Sequence, residues 1–165
     1  MDAPDLEPDL EPDRAPAHEP AHARDAAPDA ALVARLRGAG CVFAEEEAEL
    51  LESSVAGSNP AEAAAELERL VIRRVAGDPL EQLLGWAAFG GLRILLEPGV
   101  FVPRRRTELL AEAAAELARL AAASGRVPVV VDLCCGAGAI GAVVADAAGP
   151  IELVAADLDL SLIHI

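Results

Sequence analysis

The residues best equipped for chemistry sit in one stretch, Val129-Val-Val-Asp132-Leu-Cys134-Cys135-Gly136-Ala137-Gly138-Ala-Ile-Gly141, and in Asp157, nineteen residues past Gly138. Gly136 and Gly138 let the backbone approach a ligand where a Cβ would intrude. A carboxylate at the end of the following strand can accept hydrogen bonds from both hydroxyls of a ribose. The two adjacent thiols invite a nucleophile or a metal reading. Three Cys in all, two of them neighbours, match neither a disulfide framework nor a C-x-x-C site, so small buried thiols are expected and no metal site.

Gly136-Ala-Gly138-Ala-Ile-Gly141 also satisfies G-x-G-x-x-G, the dinucleotide fingerprint. Three readings therefore compete: a dinucleotide, S-adenosylmethionine (SAM), and a merely structural tight turn. Asp132 favours the second. At ~6 Å and an effective dielectric of ~20, a carboxylate facing a diphosphate costs about 2–3 kcal/mol per phosphate charge. SAM carries a sulfonium and an ammonium and no phosphate, so the same carboxylate helps. On this reading Asp132, Cys134, Cys135, Gly136, Ala137 and Gly138 hold the methionine end, and Asp157 holds the ribose.

These residues need a scaffold. Residues 129–133 are a near-continuous apolar run, as expected of a strand buried on both faces. A turn, a helix ended by Gly149-Pro150 and a second strand over 151–156 complete a βαβ unit, which implies a parallel sheet with a right-handed crossover. Thr107 is expected to cap a long helix over 108–123. Upstream, Gly90-Gly91 between two apolar runs signals a two-residue hairpin, and Pro98-Gly99 a further turn. Residues 28–76 have a helical period: Leu32, Val33 and Leu36 share one face of a helix ended by Gly38, Leu50 and Leu51 point inward on a second, and Asn59-Pro60 starts a third that closes at Gly77. The predicted organisation is a disordered acidic, Pro/Ala-rich tail over 1–27, a helical bundle over 28–76, a hairpin linker over 77–106 and an incomplete α/β domain over 107–165.

Over half of the 165 residues are hydrophobic, all 13 cations are Arg, and the net charge is −15. The first 30 residues hold nine acids against two Arg, yet the remainder is still acidic. Such a surface repels phosphate backbones and argues against direct nucleic-acid binding. His18 and His22 stand among Pro and acids, which reads as a solvated tail rather than a metal pair. With no charged-then-apolar leader and no run of ~18 apolar residues, a soluble cytoplasmic protein is expected.

Asp132-Leu-x-x-Gly136-x-Gly138-x-Ile140 resembles the first SAM motif of class I methyltransferases, usually D-L-G-x-G-x-G. Cys134 stands at that motif's first Gly and is expected to take a negative φ. Gly77-Asp-Pro-Leu-Glu-Gln82-Leu-Leu-Gly85-Trp-Ala-Ala-Phe89 is similar to the G-x-P-x-x-Y-x-x-G-x-x-x-F stretch of the HemK/PrmC glutamine methyltransferases. Val102-Pro103-Arg104-Arg-Arg-Thr107-Glu108-Leu-Leu resembles their I-P-R-P-x-T-E-x-L signature. Gln82 replaces the usual Tyr and Arg105 the usual second Pro, the marks of a divergent branch. The resemblance covers about residues 28–159, with three motifs in the family's order.

The resemblance implies the start of a class I SAM-methyltransferase (Rossmann-like) parallel sheet, preceded by a substrate-docking bundle and the hairpin linker. It implies methyl transfer from SAM to a glutamine side-chain amide, in the Gly-Gly-Gln loop of peptide-chain release factors, which makes a release factor the protein partner. It further implies that Thr107 touches the cofactor's methionine carboxylate, and that Arg104 and Glu108 shape the loop beside the cleft. The family's acceptor-holding Asn-Pro-Pro-Tyr lies past the strand that ends at Asp157. No catalytic residue is therefore expected within this chain, which is expected to be a truncated reading frame that alone binds SAM poorly and is inactive; whether residues 160–165 are native to it is left open by the sequence. The alternatives are a nucleic-acid methyltransferase (adenine-N6 or RNA), a non-catalytic binding module and a dinucleotide oxidoreductase.

Overall fold

The computed structural model describes residues 27–158. The tail up to residue 26, with His18 and His22, and the end over 159–165 lie outside the described residues.

Three helices open the described chain: α1 (Ala30–Gly38), α2 (Ala44–Ser54) and α3 (Pro60–Val75). Two of them begin at side-chain caps. Asp29 Oδ1 accepts from the Ala31 amide at 2.7 Å, and Asn59 Oδ1 from the Ala61 amide at 3.0 Å, with Pro60 in the first turn where no N–H is needed. The periodic residues form the core: Leu36 and Leu51 are 0% exposed and Val71 1%. Each such side chain contributes about 1.5–3 kcal/mol through burial. Leu50 is half-buried, facing a hollow it shares with Leu80 and Trp86. Arg74 of α3 holds Glu47 of α2 through two nearly parallel contacts, Nε–Oε2 at 2.6 Å and Nη2–Oε1 at 3.0 Å.

A one-turn helix, α4 (Leu80–Leu84), leads into the hairpin of β1 (Trp86–Phe89) and β2 (Leu92–Leu95). The pairing is antiparallel, from Trp86 opposite Leu95 to Phe89 opposite Leu92. Gly90 and Gly91 both have positive φ, the requirement of a type I′ turn. Gly90 is also fixed by space, because a Cβ there would stand 2.5 Å from Val143 Cγ2. The hairpin tip therefore rests on the helix that carries Val143.

The second half contains α5 (Glu108–Ala122), β3 (Val129–Leu133), α6 (Ala139–Ala148) and β4 (Glu152–Ala156). β3 and β4 are parallel, in register from Val129 opposite Glu152 to Leu133 opposite Ala156, with α6 as the crossover. α5 approaches α6 through Ala111, Ala115 and Ala118, which are at most 5% exposed. Small residues at this spacing let the two helices pack closely around Val144.

Two expectations are corrected here. β3 is not buried on both faces: Val129, Val131 and Leu133 are 55–71% exposed. The crossover helix α6 covers one side of the two-stranded sheet, and these three alternate side chains point to the other. Thr107 does not cap α5 with its hydroxyl. Its backbone is already helical, within a 3-10 turn over Arg105–Thr107 that runs straight into α5. A cap needs a non-helical residue whose oxygen turns back, and this lead-in removes it. Among the described residues, no helix is long and apolar enough to cross a membrane.

Candidate functional site

β3 ends in a tight turn over 134–138 that delivers the chain into α6. Gly138 N donates to Cys135 O at 2.8 Å, which closes the turn, and Cys135 N donates to Ala156 O at 3.2 Å, which docks it on the end of β4. Gly136 and Gly138 have φ of 53° and 69°, in the left-handed region. Cys134 joins them at 57°, against the expected negative φ. The reversal out of β3 demands a left-handed residue at this position, and the chain accepts a side chain there at a conformational cost of ~1–2 kcal/mol. Nor is this thiol buried: Cys134 is exposed, Cys135 is half-buried and only Cys41 is buried.

Beside the turn lies a cavity of about 480 Å³, within the range that small-molecule sites occupy. Of the residues singled out from sequence, it gathers Arg104, Thr107, Cys134, Cys135, Gly136, Ala137 and Asp157. Phe89, Phe101, Pro103 and Ile140 add apolar walls that the sequence reading did not single out. A signal existed, since two of the chain's three Phe line this one cavity and aromatics are otherwise scarce. Arg104 lies over the Phe101 ring, 5.4 Å from its centroid. A larger hollow of about 710 Å³ also borders the segment over 99–104, against α4 and the end of α3. It has no part of the glycine turn in its lining, so the smaller cavity is the candidate site.

Asp157, just past β4, lines the cavity. Its Oδ2 accepts from the Gly136 amide at 2.9 Å and its Oδ1 from the Leu158 amide at 2.7 Å. Asp132 departs from expectation. It is buried, it does not line the cavity, and its Oδ2 accepts from the Gly141 amide in the first turn of α6 at 2.9 Å. The physical reason is local. The first turn of a helix exposes unpaired amides and a positive dipole end, and a carboxylate on the adjacent strand satisfies both. A Cβ on Gly141 would stand 3.1 Å from that oxygen, so the glycine allows the approach. Glu108 also leaves the site. Its Oε1 accepts from the Gly90 amide at 3.2 Å and tethers the hairpin tip to α5. Gly138 shapes the turn without lining the cavity.

This wiring limits what the turn can bind. The amides of Cys135, Gly136, Gly138 and Gly141 all donate to partners within the protein. A diphosphate site needs such amides aimed at the ligand, at an uncompensated helix start. Here Asp132 takes the amide and supplies negative charge. The cavity lining combines backbone, the Asp157 carboxylate, the Arg104 guanidinium, the Thr107 hydroxyl, two thiols and apolar rings, and a carboxylate at the turn suits a ribose there better than a phosphate. Burial, with Asp132 and Asp157 nearby, pushes the Cys135 thiol up. A thiol held protonated is a poor nucleophile.

No family model matches the chain. Among curated proteins, it is 39% identical over 120 residues to a release factor glutamine methyltransferase of Mycolicibacterium smegmatis, covering 67% of this chain and 41% of that protein. It is 34% identical over 134 residues to the release factor glutamine methyltransferase of Corynebacterium glutamicum, covering 76% and 47%. A third relative, a 4-amino-L-phenylalanine/4-methylamino-L-phenylalanine methyltransferase of Streptomyces pristinaespiralis, is 45% identical over 69 residues, covering 41% and 24%. These relatives are all named as methyltransferases, and this chain with its mixed helix-and-sheet fold is similar to them. More closely, the chain belongs to the HemK/PrmC family. It spans about half the length, or somewhat less, of the first two relatives.

Proposed function

We propose that the 480 Å³ cavity takes SAM, and that the whole protein transfers the methyl group to a glutamine side-chain amide of a peptide-chain release factor. The observation that carries the reading is the meeting of the glycine turn over 134–138 with Asp157 in one cavity, where the Gly136 amide already donates to that carboxylate. The relatives' names support methyl transfer. When bound, SAM supplies an electrophilic methyl on a sulfonium. Asp157 accepts from its ribose, the backbone at Gly136 and Ala137 lies along it, and Phe89, Phe101 and Ile140 exclude water. Thr107 and Arg104 face its carboxylate end.

In the same reading, residues 28–76 dock the acceptor, 77–106 link, and 107–165 begin a class I methyltransferase domain. The chain then works in the cytoplasm, where release factors act. An amide nitrogen is a weak nucleophile, so its alignment with the methyl is the main catalytic demand. A second acceptor has specific support. The third relative, 45% identical over a shorter stretch, is named for an aromatic amine substrate.

Two measurements test this. NMR titration of the 165-residue chain with SAM is expected to shift the amides of Cys135, Gly136 and Ala137, while NADH leaves them in place; the reverse pattern refutes the donor assignment. Labelled methyl transfer by the whole protein is then compared on a release factor, RNA and an aromatic amine. Label on release-factor glutamine is expected, and label on either competitor alone moves the acceptor.

A further inference from the structure

The segment over 99–104 borders two hollows. Gly99, Phe101, Pro103 and Arg104 line both the 480 Å³ cavity and the 710 Å³ one. Such a wall faces open space, and Phe101 is 67% exposed. Its base is a tight turn over 97–100, closed by Val100 N donating to Glu97 O at 3.1 Å. Pro98 follows the first residue, and Gly99 has a φ of 87°, as a type II turn requires at its third position. That geometry leaves the Gly99 N–H and the Val100 carbonyl pointing out of the turn.

Both are met by one side chain. Gln82 of α4 accepts from Gly99 N at 3.2 Å through Oε1 and donates from Nε2 to Val100 O at 2.6 Å. A primary amide offers one donor and one acceptor side by side, so it grips a peptide edge as a neighbouring strand would. The buried Val100 side chain, 3% exposed, fixes where the turn sits. The Gln82 pair fixes how its peptide planes are rotated, and hence the direction in which the chain leaves toward Phe101 and Arg104.

We propose that Gln82 is a positioning residue: it sets the wall at residues 99–104 and thereby the affinity of the cavity for its ligand. The ligand half of this statement rests on the SAM reading above. Gln82 itself does not line the candidate cavity, so any effect on binding travels through the wall.

The test uses the 165-residue chain with two variants. Gln82→Met keeps length and volume but cannot hydrogen-bond. Gln82→Glu keeps the acceptor for Gly99 and loses the donor for Val100. Hydrogen exchange at the Gly99 amide is expected to quicken roughly fivefold to tenfold in the Met variant and to stay near wild type in the Glu variant. Exchange at Leu36 and Leu51 in the bundle core is expected to be unchanged in both, which reports that the fold is intact. SAM, read by the Gly136 shift, is expected to bind about tenfold more weakly to the Met variant and intermediately to the Glu variant. Wild-type exchange at Gly99 in the Met variant, or undiminished SAM binding with Gly99 loosened, overturns the proposal. If the unsubstituted chain gives no SAM shift, the functional reading falls separately, and Gly99 exchange alone then upholds or overturns the clamp.

Discussion

Asp157 Oδ2 accepts the Gly136 amide hydrogen at 2.9 Å, so the carboxylate at the end of β4 is bonded to the glycine turn that ends β3. The same group serves the turn and, in the proposed complex, the ribose. Each carboxylate oxygen can accept more than one hydrogen bond, so the two duties are compatible. Asp157→Asn keeps one carbonyl acceptor and loses the charge. It is expected to weaken SAM binding about tenfold with little loss of stability. Asp157→Ala is expected to weaken binding further and to cost about 1–3 kcal/mol, since a charged acceptor is removed from two amides. Urea denaturation beside SAM titration separates the two effects. Wild-type binding by both variants would remove Asp157 from the ligand site.

Asp132 is expected to behave differently because it is buried and faces α6 rather than the cavity. Asp132→Ala strands the Gly141 amide and is expected to cost about 1–3 kcal/mol. Asp132→Asn retains an acceptor and is expected to cost less than about 1 kcal/mol. The Asn variant also removes the negative charge at the helix start, so weak shifts with ADP are expected where the wild-type chain shows none. If Ala and Asn denature alike, the bond to Gly141 contributes nothing to the fold.

Gly90→Ala tests the docking of the hairpin on α6. The new Cβ would stand 2.5 Å from Val143 Cγ2, at a φ of 56° that disfavours a side chain. Overpacking of this kind costs about 1–3 kcal/mol and the left-handed conformation a further ~1–2 kcal/mol. Adding Val143→Ala is expected to return the overpacking part but not the conformational part, so the double variant should be more stable than Gly90→Ala plus Val143→Ala summed independently. Additive losses would mean that the tip lifts off α6.

The secondary elements were legible because their signals are local. Asn59-Pro60, Gly90-Gly91 and Pro98-Gly99 each dictate a backbone geometry, and each is found where the residues put it. The glycine turn and Asp157 converge because a βαβ unit brings the ends of parallel strands together. The direction of a side chain at those ends was not legible. Asp132 was expected to face the ligand, but the nearest unmet donor is the Gly141 amide. Thr107 reads as a cap in sequence, and only the preceding 3-10 turn shows that its backbone is already helical. Glu108 and Gln82 reach partners 18 residues away, and spacing alone gives no cue to such pairs.

Cys134 holds a φ of 57° with its side chain exposed. Cys134→Gly removes the left-handed penalty of ~1–2 kcal/mol and adds back a glycine's extra unfolded-state entropy of about 0.5–1 kcal/mol. The net expectation is a gain of up to about 1.5 kcal/mol in urea denaturation, with SAM shifts retained because the backbone is unchanged. A loss of stability would mean that the thiol makes a contact that outweighs its strain.

Cys135 gives a pH dependence with a definite sign. Burial, then the charges of Asp132 and Asp157, raise its thiol above the ordinary value of 9.0. The folded chain therefore keeps this proton to higher pH than the unfolded chain does. Its contribution to stability is full below about pH 9 and is lost as pH rises through the folded value. Cys41 is raised in the same direction, by burial and its hydrogen bond with Glu47, so both thiols steepen the decline. Urea midpoints measured from pH 7 to 10 are expected to fall above pH 9, and Cys135→Ala is expected to flatten part of that fall while Cys41 keeps the rest. At pH 8, iodoacetamide is expected to modify exposed Cys134 well before Cys135. Faster reaction at Cys135 would mean a thiolate there, and would return a nucleophile to the cavity.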